Sequence, residues 1–289
     1  MQVVRITGGL GNQMFQYAFG EYLKKVNHDE FYLDLSDYEH HQYHQGFELD
    51  KVFKNTDVKT LSKAELDKIR VDHNAFLFKV LEKLLHVRMK KPNEFHEYPA
   101  TLAVKPNDSN ISLYYDGYWG MAEYLNTAEE EIRKAFEFKY VPEGKNKELL
   151  DLIEEKGNTV GVHVRRGDYL WHPNLANVCD VEYYKTAIQY FLDQDSNCVF
   201  IVFSDDIPWV KENLSPLAEN MICVDWNTGE DSNRDMQMMS LCHHNILANS
   251  TFSWWAAWLN KHPDKQAVIP GRWTTATTTA ECFKNRHII

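Results

Sequence analysis

The chain has 289 residues, 44% of them apolar, which is enough for one large hydrophobic core or two modest ones, and the length favours two domains. Lysine and arginine number 31 against 42 aspartates and glutamates, a net charge of −11, so a polyanion meets a repelling field and nucleic acid is not expected as a partner. The cysteines, Cys179, Cys198, Cys223, Cys242 and Cys282, are odd in number and form no Cys-x-x-Cys pair, which argues against a disulfide framework or zinc site and for a reducing compartment.

Val3 to Ile6 reads as a strand that runs into Thr7-Gly8-Gly9-Leu10-Gly11-Asn12-Gln13, followed by a helix with Phe15, Ala18, Phe19, Tyr22 and Leu23 on one stripe. Arg5 and the glycines interrupt the apolar start at once, so neither a signal peptide nor a spanning helix is expected there. The unit carries the Gly9-x-Gly11 of a dinucleotide fingerprint, with Met14 at the third glycine position. Asp34, ending the second strand Phe31 to Leu35, is the candidate ribose acid, and also a candidate general base. A nicotinamide-dependent oxidoreductase is therefore the runner-up from another reaction class. Asn12 and Gln13 read as amides at the mouth of a cleft, able to orient a sugar hydroxyl.

Beyond the second strand the pattern weakens through a polar stretch at His40 to His44, and residues 37–110 read as an insertion on the first unit. Within it a helical segment spans about Asp72 to Lys91. From Phe76 to Lys91 an apolar stripe sits beside Lys79, Lys83, Arg88, Lys90 and Lys91, with Glu82 as the one acid. A helix packed on the first domain with solvated lysines is the favoured reading, and a membrane-surface face near lipid-linked substrates the alternative. Glu143 to Asn158 is charged and glycine-flanked, with a helical pattern at Leu149, Leu150, Leu152 and Ile153, and the strand rhythm restarts after it. The expected domains are 1–150 and 151–289.

In Val160 to Val164 the alternation of a strand puts the valines on one face and His163 with Arg165 on the other, at the carboxyl end where parallel sheets hold ligands. Arg165 offers a planar fork of donors suited to phosphate oxygens, Asp168 can fix that fork, and Gly167 is expected to let the backbone turn beside the ligand. A purely structural Arg–Asp pair is the competing reading. Asp193-Gln194-Asp195 matches the Asp-x-Asp of metal-dependent transferases but precedes its strand, and reads as a solvated turn.

Val199 to Phe203 reads as the next strand, with Ser204-Asp205-Asp206 after it as a cap or ribose contact, and Met221 to Val224 as another. Asn233 to Cys242 looks like a helix start in which Asp235 either accepts from guanine N1–H and N2–H₂ together or simply favours the helix dipole. Ile246 to Leu259 reads as a buried strand from Ile246 to Ala248, a hydroxyl-rich turn and an apolar helix carrying Trp254, Trp255 and Trp258. Ser250, Thr251 and Phe252 lie at its amino terminus, which either binds phosphate or is an ordinary cap. Sequons at Asn110, Asn213 and Asn249 are treated as chance.

With these residues in view the chain resembles glycosyltransferase family 11, the galactoside α-1,2-fucosyltransferases, in its bacterial form. The resemblance runs through Gly8 to Ala18, His163 to Tyr169, Phe203-Ser204-Asp205 and Asn249 to Ala256, and is weakest over residues 37–110, where acceptor preference would be encoded. It implies an α/β fold of GT-B type, two facing Rossmann-like domains with parallel sheets, and inverting transfer from GDP-β-L-fucose to a galactose-containing glycan with no metal or other cofactor. Carried over by position, Arg165 holds the diphosphate, His163, Ser250, Thr251 and Phe252 lie at the nucleotide with Asp235 and Gly11 on the donor side, and Asn12 faces the reacting sugar beside Arg165 and Asp168. A cytoplasmic enzyme is implied, touching the inner membrane if residues 76–91 bind it. A fucosyltransferase of another linkage and a non-catalytic nucleotide or glycan binder stay open beside the oxidoreductase.

Overall fold

The computed structural model describes residues 1–41, 44–73, 75–87, 89–97, 112–275, 277 and 286–289. Arg88, Asn110 and Cys282 lie outside the described residues. The chain divides into two compact units, Met1–Lys139 and Tyr140–Ile289.

The first unit contains β1 (Gln2–Arg5), α1 (Leu10–Asn27), β2 (Phe31–Asp34), α2 (Leu49–Val52), α3 (Lys63–Ile69), α4 (Phe76–Leu85), β3 (Glu94–His96), β4 (Leu113–Asp116), α5 (Ala122–Thr127) and α6 (Glu129–Ala135). Its strands pair in parallel in the order β2-β1-β4-β3, so the segment expected as an insertion contributes an edge strand to the sheet. The core is aromatic: Phe19 of α1 stacks on Trp119 with ring centroids 4.3 Å apart and meets Tyr115 edge-on at 5.3 Å.

The second unit contains α7 (Gly144–Glu155), β5 (Thr159–Val164), α8 (Val181–Leu192), β6 (Val199–Ser204), α9 (Ile207–Asn213), β7 (Met221–Val224), α10 (Arg234–Leu241), β8 (His244–Ile246), α11 (Thr251–Leu259), β9 (Ala267–Ile269) and β10 (Arg286–Ile288). These strands pair in parallel in the order β10-β9-β8-β5-β6-β7, so β5 lies between β8 and β6. Every residue of β5 is buried, as expected for a strand covered on both faces. A Cβ at Gly161 would come within 3.0 Å of Met239 of α10, so the glycine lets that helix approach the sheet.

The strand expected at Ile246 to Ala248 is displaced: pairing with β5 runs over His244–Ile246 instead. Leu247 keeps one bond, its N–H donating to Val268 O at 2.9 Å, after which Ala248 and Asn249 leave the sheet while staying buried. The apolar run reported burial, which a loop beneath a helix start can share with a strand. Asn249 is 2% exposed and its amide donates to Trp273 O at 3.0 Å, so its sequon is sealed in the folded protein.

The α4 helix departs most from expectation. None of its ten residues is fully buried: Phe78, Leu81 and Glu82 are half-buried and Lys79 and Lys83 are solvated as expected, but Phe76, Leu77, Leu84 and Leu85 stay exposed, so the apolar stripe packs only in part.

Gly20 sits inside α1, where alanine ordinarily gains about 1 kcal/mol over glycine. Here an added Cβ would lie 2.4 Å from the buried Phe31 ring, so the clash outweighs the propensity. Gly20→Ala should lower the urea midpoint of unfolding, and an unchanged or raised midpoint would show that α1 is not held this closely.

Candidate active site

Arg165 follows β5 directly, and its guanidinium is braced on both arms. Nη2 donates to Asp168 Oδ1 at 2.6 Å, Nη1 pairs with Asp205 Oδ2 at 2.9 Å, and the Tyr169 ring lies 5.5 Å away. Asp205 comes from the loop after β6, the strand beside β5, and its other oxygen accepts the Arg166 backbone N–H at 2.8 Å. Arg166 turns elsewhere: its Nε donates to Asp206 Oδ2 at 3.1 Å and its guanidinium lies 4.1 Å over Trp209. The paired arginines therefore divide their work, with Arg165 held as a fork and Arg166 pinned to α9.

The role expected for Gly167 changes. An added Cβ would meet Asp205 Oδ2 at 2.8 Å, so the glycine makes room for the brace on Arg165. Asp205 was not singled out as an arginine partner from sequence. Its signal lay in the adjacency of two parallel strands, each followed at once by a charged residue, which only the sheet order reveals.

His163 is buried, and burial together with the neighbouring Arg165 charge drops its pKa to about 3, so the imidazole is neutral. Its ring lies 5.4 Å from Phe252, and its Nδ1 is buried with no hydrogen-bond partner among the described residues. Two tyrosines of α8 hold the strand exits: Tyr184 O–H donates to His163 O at 3.0 Å and Tyr183 O–H to Leu247 O at 2.6 Å.

The start of α11 lies on the other side of β5, after β8. Tyr169 O–H donates to Asn249 O at 3.3 Å, linking the loop after β5 to this turn. Ser250 Oγ accepts the Phe252 N–H at 3.3 Å, so this hydroxyl acts as the N-cap. Ser253 is fully buried and its Oγ faces Ala248 O and Ser250 O at 3.3 and 3.2 Å, which removes it from any ligand. Thr251 and Phe252 open the helix beside His163.

Asp235 lies in the first turn of α10, where its Oδ1 accepts from Asn227 Nδ2 at 2.7 Å. Asn227 also donates to Asn146 Oδ1 at 3.0 Å, the atom that accepts Trp226 Nε1–H at 2.8 Å, so the network ties α7 to the segment after β7. Burial raises the Asp235 pKa from 3.8 to about 7, with the Asn227 bond opposing it. Burial thus outweighs the one bond from Asn227 in setting the proton affinity of this carboxyl.

In the first unit, Gly11 is buried at the start of α1 and Asn12 is partly exposed after it. Gln13 does not sit at a cleft mouth: it is fully buried, donating to Gly8 O at 3.0 Å and Gly46 O at 2.8 Å and accepting the Glu48 N–H at 2.9 Å. Asp34 is 1% exposed, pairs with Arg70 Nε at 2.6 Å and accepts the Tyr114 hydroxyl at 2.8 Å. It is thus committed to structure and suits neither ribose recognition nor proton abstraction. With Met14 fully buried where a third glycine would stand, the nicotinamide reading loses its residues. Asp193 ends α8, and Asp195 accepts from Asn197 N–H and Asn158 Nδ2 before β6 begins, at the opposite end of the sheet from Arg165.

The structure thus gathers His163, Arg165, Asp168, Ser250, Thr251 and Phe252 at the ends of adjacent strands, sets Asp235 on α10 in the same unit, and leaves Gly11 and Asn12 in the other unit.

The sequence profile of Glycosyl transferase family 11 matches residues 1–286. The chain is 34% identical over 280 residues to an alpha-1,2-colitosyltransferase of Escherichia coli, covering 94% of this chain and 91% of that one. It is also 34% identical over 297 residues to the O-antigen biosynthesis glycosyltransferase WbnK of Escherichia coli, covering 93% of each. Among solved structures it is similar to POFUT1 in complex with GDP-fucose, with a TM-score of 0.52 at 12% identity, covering 93% of this chain and 97% of that one. The fold is therefore of GT-B type.

Asp235 makes a signed prediction about the unliganded protein. Its folded pKa is raised, so ionising it costs stability, a cost that grows as pH rises from about 4 towards 7 and is complete above that. Asp235→Asn should raise the melting temperature at pH 8 and leave it little changed near pH 4. An equal shift at both pH values would mean the carboxyl titrates normally.

Proposed function

The chain belongs to glycosyltransferase family 11, and from that premise we propose that it transfers L-fucose from GDP-β-L-fucose to the 2-hydroxyl of a galactoside, within a glycan such as O-antigen, with inversion and without a metal ion. The acceptor hydroxyl oxygen attacks fucose C1 from the face opposite GDP and gives up its proton to solvent, the bond from C1 to the β-phosphate oxygen breaks, and its electron pair leaves with GDP through a transition state of oxocarbenium character.

The observation that carries this reading is the braced Arg165 at the end of β5, beside the start of α11. The developing charge on the leaving diphosphate meets the N–H groups of the guanidinium that the brace leaves over, together with the dipole of the helix start at Thr251 and Phe252. A well-aimed donor of this type contributes about 3 to 4 kcal/mol to the transition state. Asp168 and Asp205 keep the fork from swinging away, so Asp168 serves by orientation. His163, neutral and with its buried Nδ1 unpartnered among the described residues, lies on the nucleotide side, where Ser250 caps the helix that meets it. Asp235 accepts guanine N1–H and N2–H₂, which requires its ionised form. Asn12, at the glycine loop of the first unit, faces the reacting sugar and Gly11 belongs to the donor side, as the family resemblance implies. The enzyme is placed in the cytoplasm, with a galactose-containing glycan as its acceptor and no nucleic-acid partner.

A second donor is favoured by one observation: the 34%-identical Escherichia coli relative is an alpha-1,2-colitosyltransferase. GDP-fucose and GDP-colitose offered in competition would decide between them. A fucosyltransferase of another linkage would show itself on a panel of galactose-terminated glycans by the product bond formed.

Arg165→Ala should lower kcat for GDP release by about a hundredfold or more with the fold intact, and activity should persist in EDTA. A variant within a few-fold of wild type, or activity abolished by chelation and restored by a divalent ion, would overturn the assignment. Calorimetry should show GDP affinity falling as pH drops below about 7 in the wild type, where Asp235 takes up its proton. Asp235→Asn should bind GDP weakly at every pH, and a pH-independent wild type would remove Asp235 from the guanine.

A further inference from the structure

The α4 helix exposes what a soluble helix ordinarily hides. Phe76 is 83% exposed, Leu77 64%, Val80 38% and Leu84 70%, and these positions lie on one ridge of the helix. Leu85 at 60% and Val87 at 60% extend the apolar surface past its carboxyl end. Neighbouring apolar side chains left exposed together on one helix mark an interaction site.

The charges around the ridge identify the partner. Lys79 and Lys83, one turn apart, flank the apolar positions and are exposed, as is Lys90, and no carboxylate among the described residues lies within ion-pair distance of them. Glu82, the helix's one acid, is partly buried on another face, where its Oε1 meets His73 Nδ1 and the Met89 N–H, each at 2.8 Å. In a chain of net charge −11, the apolar ridge therefore carries a local positive border.

We propose that α4 lies in the surface of an anionic lipid bilayer, with Phe76, Leu77, Val80 and Leu84 among the acyl chains and Lys79 and Lys83 reaching the headgroups. An apolar ridge bordered by long basic side chains is the pattern of a helix lying in the membrane plane. At ten residues, about 15 Å long, α4 is too short to span a bilayer, and none of the described helices is long and apolar enough to do so. A second copy of this chain would bring like charges together across the ridge, which disfavours self-association there.

Co-sedimentation of the full chain with vesicles of phosphatidylglycerol and phosphatidylethanolamine, against vesicles of phosphatidylcholine alone, tests the assignment. The wild type should bind the anionic vesicles, and added salt should weaken that binding. Joint Lys79→Glu and Lys83→Glu should lower the partition coefficient by at least about fivefold per charge. Joint Leu77→Ser and Leu84→Ser should abolish binding. Both variants should melt like the wild type and keep its kcat on a soluble acceptor. Failure to bind anionic vesicles, or binding that neither variant alters, would overturn the proposal. So would a wild type that light scattering finds dimeric and the serine variant monomeric, because the ridge would then be a contact between copies.

Discussion

A guanidinium fixed between carboxylates at the end of a buried strand is the constraint on which the candidate site depends. An arginine left alone beside a low-dielectric sheet would pay for desolvation and swing among rotamers. Asp168 and Asp205 offset that cost and hold the fork in one orientation. The partners differ in what else they do. Asp168 is 58% exposed and makes a pair open to water, whereas Asp205 also holds the Arg166 backbone, so one brace is easily screened and the other is built into the loop. Gly167 belongs to this arrangement because any side chain there would push Asp205 away.

The parallel sheet turns residues distant in sequence into neighbours. β5 lies between β6 and β8, so the loops bearing Arg165, Asp205 and Ser250 emerge side by side at the same edge. The tyrosines of α8 hold the carbonyls of His163 and Leu247 where β5 and β8 end, so the strand exits are fixed by buried hydrogen bonds. At the equivalent edge of the first unit, the strand ends are occupied by ion pairs. Arg5 joins Asp37 and Asp116, each at 2.8 Å, and Arg70 joins Asp34. The carboxylates separate the two sheets: Asp34 and Asp37 are 1% and 3% exposed, whereas Asp168 and Asp205 are 58% and 25% exposed, so the brace on Arg165 stands open to water and the first unit's pairs are sealed.

The same contrast explains which readings survived. The glycine loop after β1 looked like a nucleotide cradle, yet Gln13 is spent on the backbone of Gly8, Gly46 and Glu48 and Asp34 on Arg70. Asp235 differs in that no arginine among the described residues pairs with it: burial outweighs the bond from Asn227 and raises its pKa to about 7.

Local pattern determined the α/β class, the strands from Val3, Phe31, Val160, Val199 and Met221, and the placing of Arg165 and Asp168 after a buried strand, because alternation and strand–turn order are properties of adjacent residues. The family resemblance carried Ser250 to Phe252 and His163 to the same site. Tertiary structure decided that Asp205 is the second brace, that Ser253 and Gln13 face inward, and that the strand ends at Ile246 so that Ala248 leaves the sheet. It also left Phe76, Leu77, Leu84 and Leu85 of α4 uncovered, although its amphipathic pattern alone is equally that of a packed helix. The physical reason is common to all of these: a side chain's partner depends on which strand or helix lies beside it, and strand order and helix docking are set by contacts far apart in the chain.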